Sequence, residues 1–269
     1  MRNYEREKEE RVKFIQNVVL NAKSDGIVFA NSGGKDAALV GILCKLAWDN
    51  TVGISLPCNV SQNYESDIDD AVALSRQFKI EHKTISLSST CKSLVQAISE
   101  VVPITDWAKI NLAPRLRMTT IYAIANSQNR LVAGTDNRSE IYTGYFTKWG
   151  DGAYDFNPIA DLTATEVIDF LRYLSAPTPI IEKPPSAGLF EGQTDEAEMG
   201  VTYASLDNFL LTGEVNAHDG AIINRLHAAS HHKRKPPINY EVPARRPDAE
   251  GGICAANVLT VCADKGGME

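Results

Sequence analysis

The run Ser32-Gly33-Gly34-Lys35-Asp36 stands between the apolar segment 27–30 and the helix-spaced Leu39, Leu43 and Leu46. Two glycines after a strand permit positive φ angles and leave backbone N–H groups uncovered. A helix opening at Asp36 turns its first N–H groups, which have no partner within the helix, back onto that turn. The chemistry on offer is anion binding, phosphate above all. The plainer reading of Gly-Gly is a tight turn, and Asp36 alone reads as an acid favoured by the helix dipole. The run is not a Walker A loop, because Lys35 is followed by Asp36 and the earlier glycine of that motif is missing. A second polar stretch with chemical potential is Gly134-Thr135-Asp136-Asn137-Arg138-Ser139-Glu140.

Two such stretches act together only if the fold brings them to one place. Val12, Ile15 and Val19 have helical spacing, and Gly26 ends that segment before a strand IVFA. After the glycine turn a helix continues to about Trp48. TVGISL reads as a second strand, Ile68, Ala71, Val72 and Ser75 as a helix, and HKTISL as a third strand. A helix from about Asn111 to Ser127 precedes a fourth strand, RLVAG. Strands separated by helix-length segments are βαβ units. They predict an α/β three-layer sandwich: a doubly wound parallel sheet with helices on both faces. Ligands bind beyond the carboxyl ends of such strands, and both polar stretches lie at such ends.

The second half is less regular. GDGAYDFNPIADL is rich in turn residues, and Thr163-x-x-Glu166 predicts a capping box before a helix through about Leu174. The proline-rich SAPTPIIEKPPSAGLFEGQTDE reads as a long loop rather than a helix; such loops in compact domains are commonly functional. Helices are expected again near Ala204 and Gly220. The reading gives one domain over residues 1–240 and a C-terminal extension over 241–269.

Composition narrows the class. The 269 residues are 43% hydrophobic and 23% charged, as in ordinary globular proteins. A net charge of −7 argues against a nucleic-acid binder acting through overall basicity. No apolar run is long enough for a membrane span, and the N-terminus lacks the apolar core of a secretory signal. The five cysteines are scattered without a Cys-x-x-Cys, which points to reduced thiols and a cytoplasmic protein rather than a zinc ribbon or redox dithiol.

The glycine turn matches the SGGxDS pattern of ATP pyrophosphatases, which cleave ATP between the α and β phosphates. RLRMTTIYAIAN, GTDNRSEIYTGYFTKWGDGAYDFNPIADL, EKPPSAGLFEGQTDE and GVTYASLDNFL then follow in an order that resembles the ammonia-dependent NAD synthetases, from about Lys23 to Lys235. The resemblance implies a ligase: ATP adenylates the carboxylate of nicotinic acid adenine dinucleotide (deamido-NAD), and ammonia displaces AMP to leave NAD⁺. It implies that Ser32, Gly33, Gly34 and Asp36 form the pyrophosphate loop, with Lys35 at its variable position. Asp36 and Glu140 would hold Mg²⁺, Thr135 and Ser186 would contact ATP, and Arg115, Lys148, Asp155, His232 and Lys233 would hold deamido-NAD. It also implies a homodimer, and a lid formed by the proline-rich segment. A surface loop, a solvated helix face or a basic chain end would account for the same charged residues more simply.

The chain departs from the pattern. Ala37 stands where the loop has a serine, and Ala164 where a lysine reaches ATP. LPCN, with Cys58 and Asn59, replaces LPYG, and residues follow HKRKPP beyond the usual ending. A lost charged hydrogen bond costs about 1.5–3 kcal/mol and a neutral one about 1. If the two acted independently, that is roughly a hundred- to thousandfold in efficiency. Lys35 is the nearest replacement cation in sequence. The rival readings are a relative that adenylates another carboxylate, a tRNA thiolase of the SGGxDS class, and a nucleotide sensor that has lost catalysis. Retained dinucleotide contacts oppose the first, negative charge the second, and the paired carboxylates the third. A glutamine-dependent form would need a further amidase domain, so free ammonia or a separate partner is the expected nitrogen source.

Overall fold

The computed structural model describes residues 2–58, 63–183 and 194–240, without the side chains of 63–65. Contacts divide the chain into Met1–Lys235 and Pro236–Glu269. In the first unit α1 (Tyr4–Ala22) leads into β1 (Gly26–Ala30), α2 (Lys35–Ala47), β2 (Thr51–Ser55), α3 (Asn63–Phe78) and β3 (Glu81–Thr84). Helices α4 (Ser88–Ser99) and α5 (Asp106–Ser127) precede β4 (Arg130–Ala133) and α6 (Arg138–Thr143). The rest is helical: α7 (Ala164–Tyr173), α8 (Thr178–Glu182), α9 (Asp195–Met199), α10 (Tyr203–Thr212) and α11 (Ala217–Ala229). A 3-10 turn, His231–Lys233, ends the unit.

The sheet is fully parallel, in the order β3-β2-β1-β4 among the described residues. The chain winds outward from β1 to β3 and then crosses to the other side of β1 as β4. The crevice between β1 and β4 is therefore the topological switch point, where such sheets bind ligands. Alternation along β1 sorts its side chains: Ile27 and Phe29 join the core with α1, α2 and α7, while Val28 joins Val52, Ile54, Val132 and the α5 residues Ala113, Ile121 and Ala125. Two cores on two faces make the expected three-layer sandwich. No helix among the described residues is long and apolar enough to cross a membrane.

Several boundaries differ from the sequence reading. Helix α4 was not anticipated, although Cys91, Leu94, Val95 and Ile98 have helical spacing; Cys91 alone of its residues is buried. Helix α5 starts at Asp106 rather than near Asn111 and runs through Pro114, capped by Thr105. The third strand ends at Thr84, although Ile85 still donates to the Ser55 carbonyl at 2.9 Å. The segment expected to be free of helix begins with α8, because Pro179 falls in the first turn, where a missing N–H costs nothing. Five-residue α9 also went unforeseen; Thr194 caps it and Gly200 ends it.

Gly41 fixes how α2 sits on the sheet. A Cβ there would lie 2.5 Å from Cζ of the fully buried Phe29. Alanine in a helix interior normally gains close to 1 kcal/mol over glycine. Here overpacking of about 1–3 kcal/mol outweighs it. Gly41→Ala is expected to lower the thermal midpoint by several degrees; a rise, measured by calorimetry, would show that α2 can move away from Phe29.

Candidate active site

The glycine turn and GTDNRSE meet beyond β1 and β4. Gly33 has φ of +77°, and a Cβ on it would lie 2.1 Å from the Asp67 carbonyl oxygen. The close approach that excludes a side chain at Gly33 is thus by the backbone of α3. Gly34 is the N-cap of α2 and supplies no capping side chain. Its own N–H donates to Ser32 Oγ at 3.2 Å. The open helix end carries the positive end of the dipole and is free to accept an anion.

Asp36, in the first turn of α2, is joined to the second loop: Asn137 Nδ2 donates to Asp36 Oδ1 at 2.9 Å. Asn137 also caps α6, its Oδ1 accepting from the N–H groups of Ser139 and Glu140. Glu140 completes the capping box by accepting from Asn137 N–H at 2.9 Å through Oε2. It is therefore held in place rather than a loose surface acid. One carboxylate oxygen is used structurally and the other is left for a ligand.

Negative charge is crowded here. Removal from water raises the Asp36 carboxyl, against Lys35 and the Asn137 hydrogen bond, with Asp195 adding repulsion. Glu140 is held well above the ordinary glutamate range by desolvation, then by Asp36 and Asp136. Asp136, 5% exposed, is likewise raised well above its usual range by desolvation and by the charges of Asp151 and Asp36. Sequence reasoning missed Asp136 and Asp195 as members; Asp136 lies inside the GTDN motif, so the signal was present. Among the described residues no three His, Cys, Asp or Glu side chains are grouped to hold a metal alone. Mg²⁺ needs no such cage, since it is commonly bound by one or two carboxylates with substrate phosphates and water. The unrelieved repulsion at Asp36 and Glu140 fits a divalent cation there.

The residues expected at the dinucleotide form a second group. Arg115 donates weakly to the Lys148 carbonyl at 3.4 Å, and Lys148 Nζ donates to the His232 carbonyl at 2.6 Å. Arg115 is exposed and Lys148 half-buried, so a cationic patch faces solvent. Lys233 differs: its ammonium donates to the carbonyls of Gly144 and Phe146 at 2.8 and 2.7 Å. Two of its three donors thus brace the end of α6. Asp155 accepts from Val132 N–H at 2.8 Å and from the Tyr122 hydroxyl at 3.1 Å, anchoring its loop to β4 and α5. Thr135 is half-buried, two residues beyond β4. Ser186 and Asn59 lie outside the described residues.

The two alanines that depart from the family pattern are buried. Ala37 is 3% and Ala164 1% exposed. Ala164 opens α7 and packs with Met199, Val201, Tyr203, Leu206 and Ile223. Its N–H donates to Ser139 Oγ, which donates in turn to Asp207.

The NAD synthase family model matches residues 7–237. The chain belongs to the NAD synthase family. Within the family, the NH₃-dependent NAD⁺ synthetase of Carboxydothermus hydrogenoformans is 43% identical over 244 residues, 90% of this chain and 98% of the relative. A solved NMN synthetase from Francisella tularensis superposes with a TM-score of 0.84 at 37% identity, covering 90% of this chain and 100% of that one. The NH₃-dependent NAD synthetase from Campylobacter jejuni gives 0.74 at 30% identity, with coverages of 90% and 100%.

The crowded carboxylates carry a pH signature. A carboxyl whose folded-state pKa is raised keeps its proton in the native state after the unfolded chain has lost it. Stability of the ligand-free protein therefore falls as pH rises from the ordinary glutamate range through the raised value. Glu140→Gln keeps the capping-box acceptor and removes the charge. It is expected to flatten that fall and leave the midpoint at neutral pH unchanged or higher. Turnover should drop about tenfold or more, as for Asp36→Asn. Thermal unfolding across pH, alongside rates, checks this; full activity in both variants would dismiss the carboxylate pair as ligands.

Proposed function

We propose that the protein is an ammonia-dependent NAD synthetase, a cytoplasmic ligase that converts deamido-NAD, ATP and ammonia into NAD⁺, AMP and diphosphate. The observation that carries this reading is the Asn137–Asp36 hydrogen bond at 2.9 Å, which joins the SGGKD turn to the loop that orients Glu140. It puts an uncapped helix end beside two fixed carboxylates, the arrangement suited to a magnesium–nucleotide.

A carboxylate is a poor acylating agent until it acquires a leaving group. Its oxygen attacks the α-phosphorus of ATP, the bond to the β-phosphate bridge breaks, and diphosphate departs. Ser32, Gly33, Gly34 and the first N–H groups of α2 receive the departing diphosphate. Asp36 and Glu140 would hold Mg²⁺, which when bound neutralises phosphate charge and polarises the P–O bonds. Thr135 sits at the same strand end for contact with the nucleotide. Ammonia then attacks the acyl carbon, loses a proton and expels AMP. Arg115 and Lys148, with the His232 turn, hold the dinucleotide phosphates, and Asp155 supports that wall through its bonds to Val132 and Tyr122. Ser186 and the lid role of its segment stay part of the proposal through the resemblance alone. A homodimer is also proposed; exposed Val101, Val102 and Trp107, before and within α5, support an apolar contact.

The likeness to the Francisella NMN synthetase favours one second reading, in which the mononucleotide of nicotinic acid is amidated. The reacting carboxylate is the same in both substrates. One incubation with ATP, Mg²⁺ and ammonium, supplied in turn with deamido-NAD and the mononucleotide, separates them. NAD⁺ with equal AMP and diphosphate is expected from the first. A clear preference in kcat/KM for the mononucleotide would transfer the assignment, and ADP as the only nucleotide product would overturn both.

A further inference from the structure

Lys35 is the first residue of α2, yet its side chain is not on the surface. The residue is 7% exposed, and its Nζ is buried without a hydrogen-bond partner among the described residues. Its neighbour is an aromatic face: Nζ lies 5.2 Å from the centroid of the Tyr203 ring. Tyr203 belongs to the buried cluster of Ala164 and donates to Asp195 at 3.2 Å. The charges of Asp36, Glu140 and Asp195 all act on the Tyr203 hydroxyl, and Lys35 acts on Asp36 and Glu140. The ammonium therefore lies against the cluster that contains Ala164, and is near enough to Asp36 and Glu140 for its charge to favour their ionised forms.

The attraction to Asp36 and Glu140 offsets only part of what this placement costs. A cation at a helix N-terminus opposes the dipole. A buried ammonium lacking hydrogen bonds has given up its hydration, and a cation–π contact with tyrosine returns only part of it. Both penalties are relieved by one event, arrival of a polyanion at the open end of α2.

We propose that Lys35 is the phosphate-binding cation of this site, delivered from the glycine turn across the Tyr203 ring, and that it does the work expected of a lysine at position 164. The inference rests on the glycine turn binding ATP, and deepens that part of the functional reading. Ala164, 1% exposed, keeps the cluster beside Tyr203 compact while α2 supplies the charge. The x position of SGGxD, variable in the family pattern, then sets nucleotide affinity in this protein.

The test is titration of the full chain with Mg²⁺-ATP by calorimetry, without the second substrate, so that it reads binding whatever the acyl acceptor. Lys35→Met is expected to weaken ATP binding about tenfold or more, the size of a lost charged hydrogen bond. The Michaelis constant for the pyridine nucleotide should stay within about twofold, and the thermal midpoint of the ligand-free protein should hold or rise. Lys35→Arg should keep part of the affinity. Wild-type ATP affinity in Lys35→Met would overturn the proposal. So would a lowered midpoint with both substrates weakened alike, which marks a structural lysine. If ATP binding falls as expected while neither NAD⁺ nor the mononucleotide amide forms, the Lys35 assignment stands and the reading of the overall reaction fails.

Discussion

Like charges crowded at the end of a parallel sheet are the constraint on which the rest of this molecule depends. Asp36, Asp136 and Glu140 come from two loops that no covalent necessity brings together, and each carboxylate raises the cost of ionising the others. Left to themselves they would drive the loops apart. Asn137 opposes this with one side chain: its amide nitrogen holds Asp36, and its oxygen caps the helix that carries Glu140. It can do so because β1 and β4 are parallel neighbours, which places both segments beyond the carboxyl ends of adjacent strands. The strain that remains is electrostatic, and a divalent cation bound there with phosphate would remove it. Such a site is poorer as a stable fold than it needs to be, as active sites commonly are.

Much of this was legible in the sequence because the physics is local. The four strands, the glycine turn and the Thr163–Glu166 capping box rest on short-range patterns that tertiary contacts did not override. What escaped depended on distant partners. Helix α4 is the exception: Cys91, Leu94, Val95 and Ile98 carry the helical period, so the signal for it was local, and it packs on α5. Helix α5 runs on through Pro114, and Ala113, Ile121 and Ala125 are buried in the core on that face of the sheet. At Gly33 the turn itself was foreseen, but not that α3, more than thirty residues on, supplies the backbone that presses on it.

The site residues divide in the same way. Asp36 and Glu140 were named by motif, and the structure gives each a physical reason for its position. Lys233 was named for the dinucleotide; its hydrogen bonds to Gly144 and Phe146 add a bracing role that no spacing rule reveals. Asp136 went unnamed although it sits between two residues of a recognised motif. Its importance appears only once burial and its neighbours' charges are known. Sequence motifs mark where chemistry is concentrated; which member touches a substrate is decided by where each donor is already spent.

The brace at the end of the folded unit has a consequence for how the site comes into being. Lys233 and Arg234 reach back to carbonyls of residues 141–146, on or just after the helix that carries Glu140. The glycine turn, by contrast, is complete once β1, α2 and α3 exist. During synthesis the nucleotide loop is therefore built long before the helix bearing its second carboxylate is secured. An unfinished or clipped chain that lacks the last turn would lose these supports of the helix bearing Glu140, so assembly of the acidic pair is tied to the far end of the folded unit.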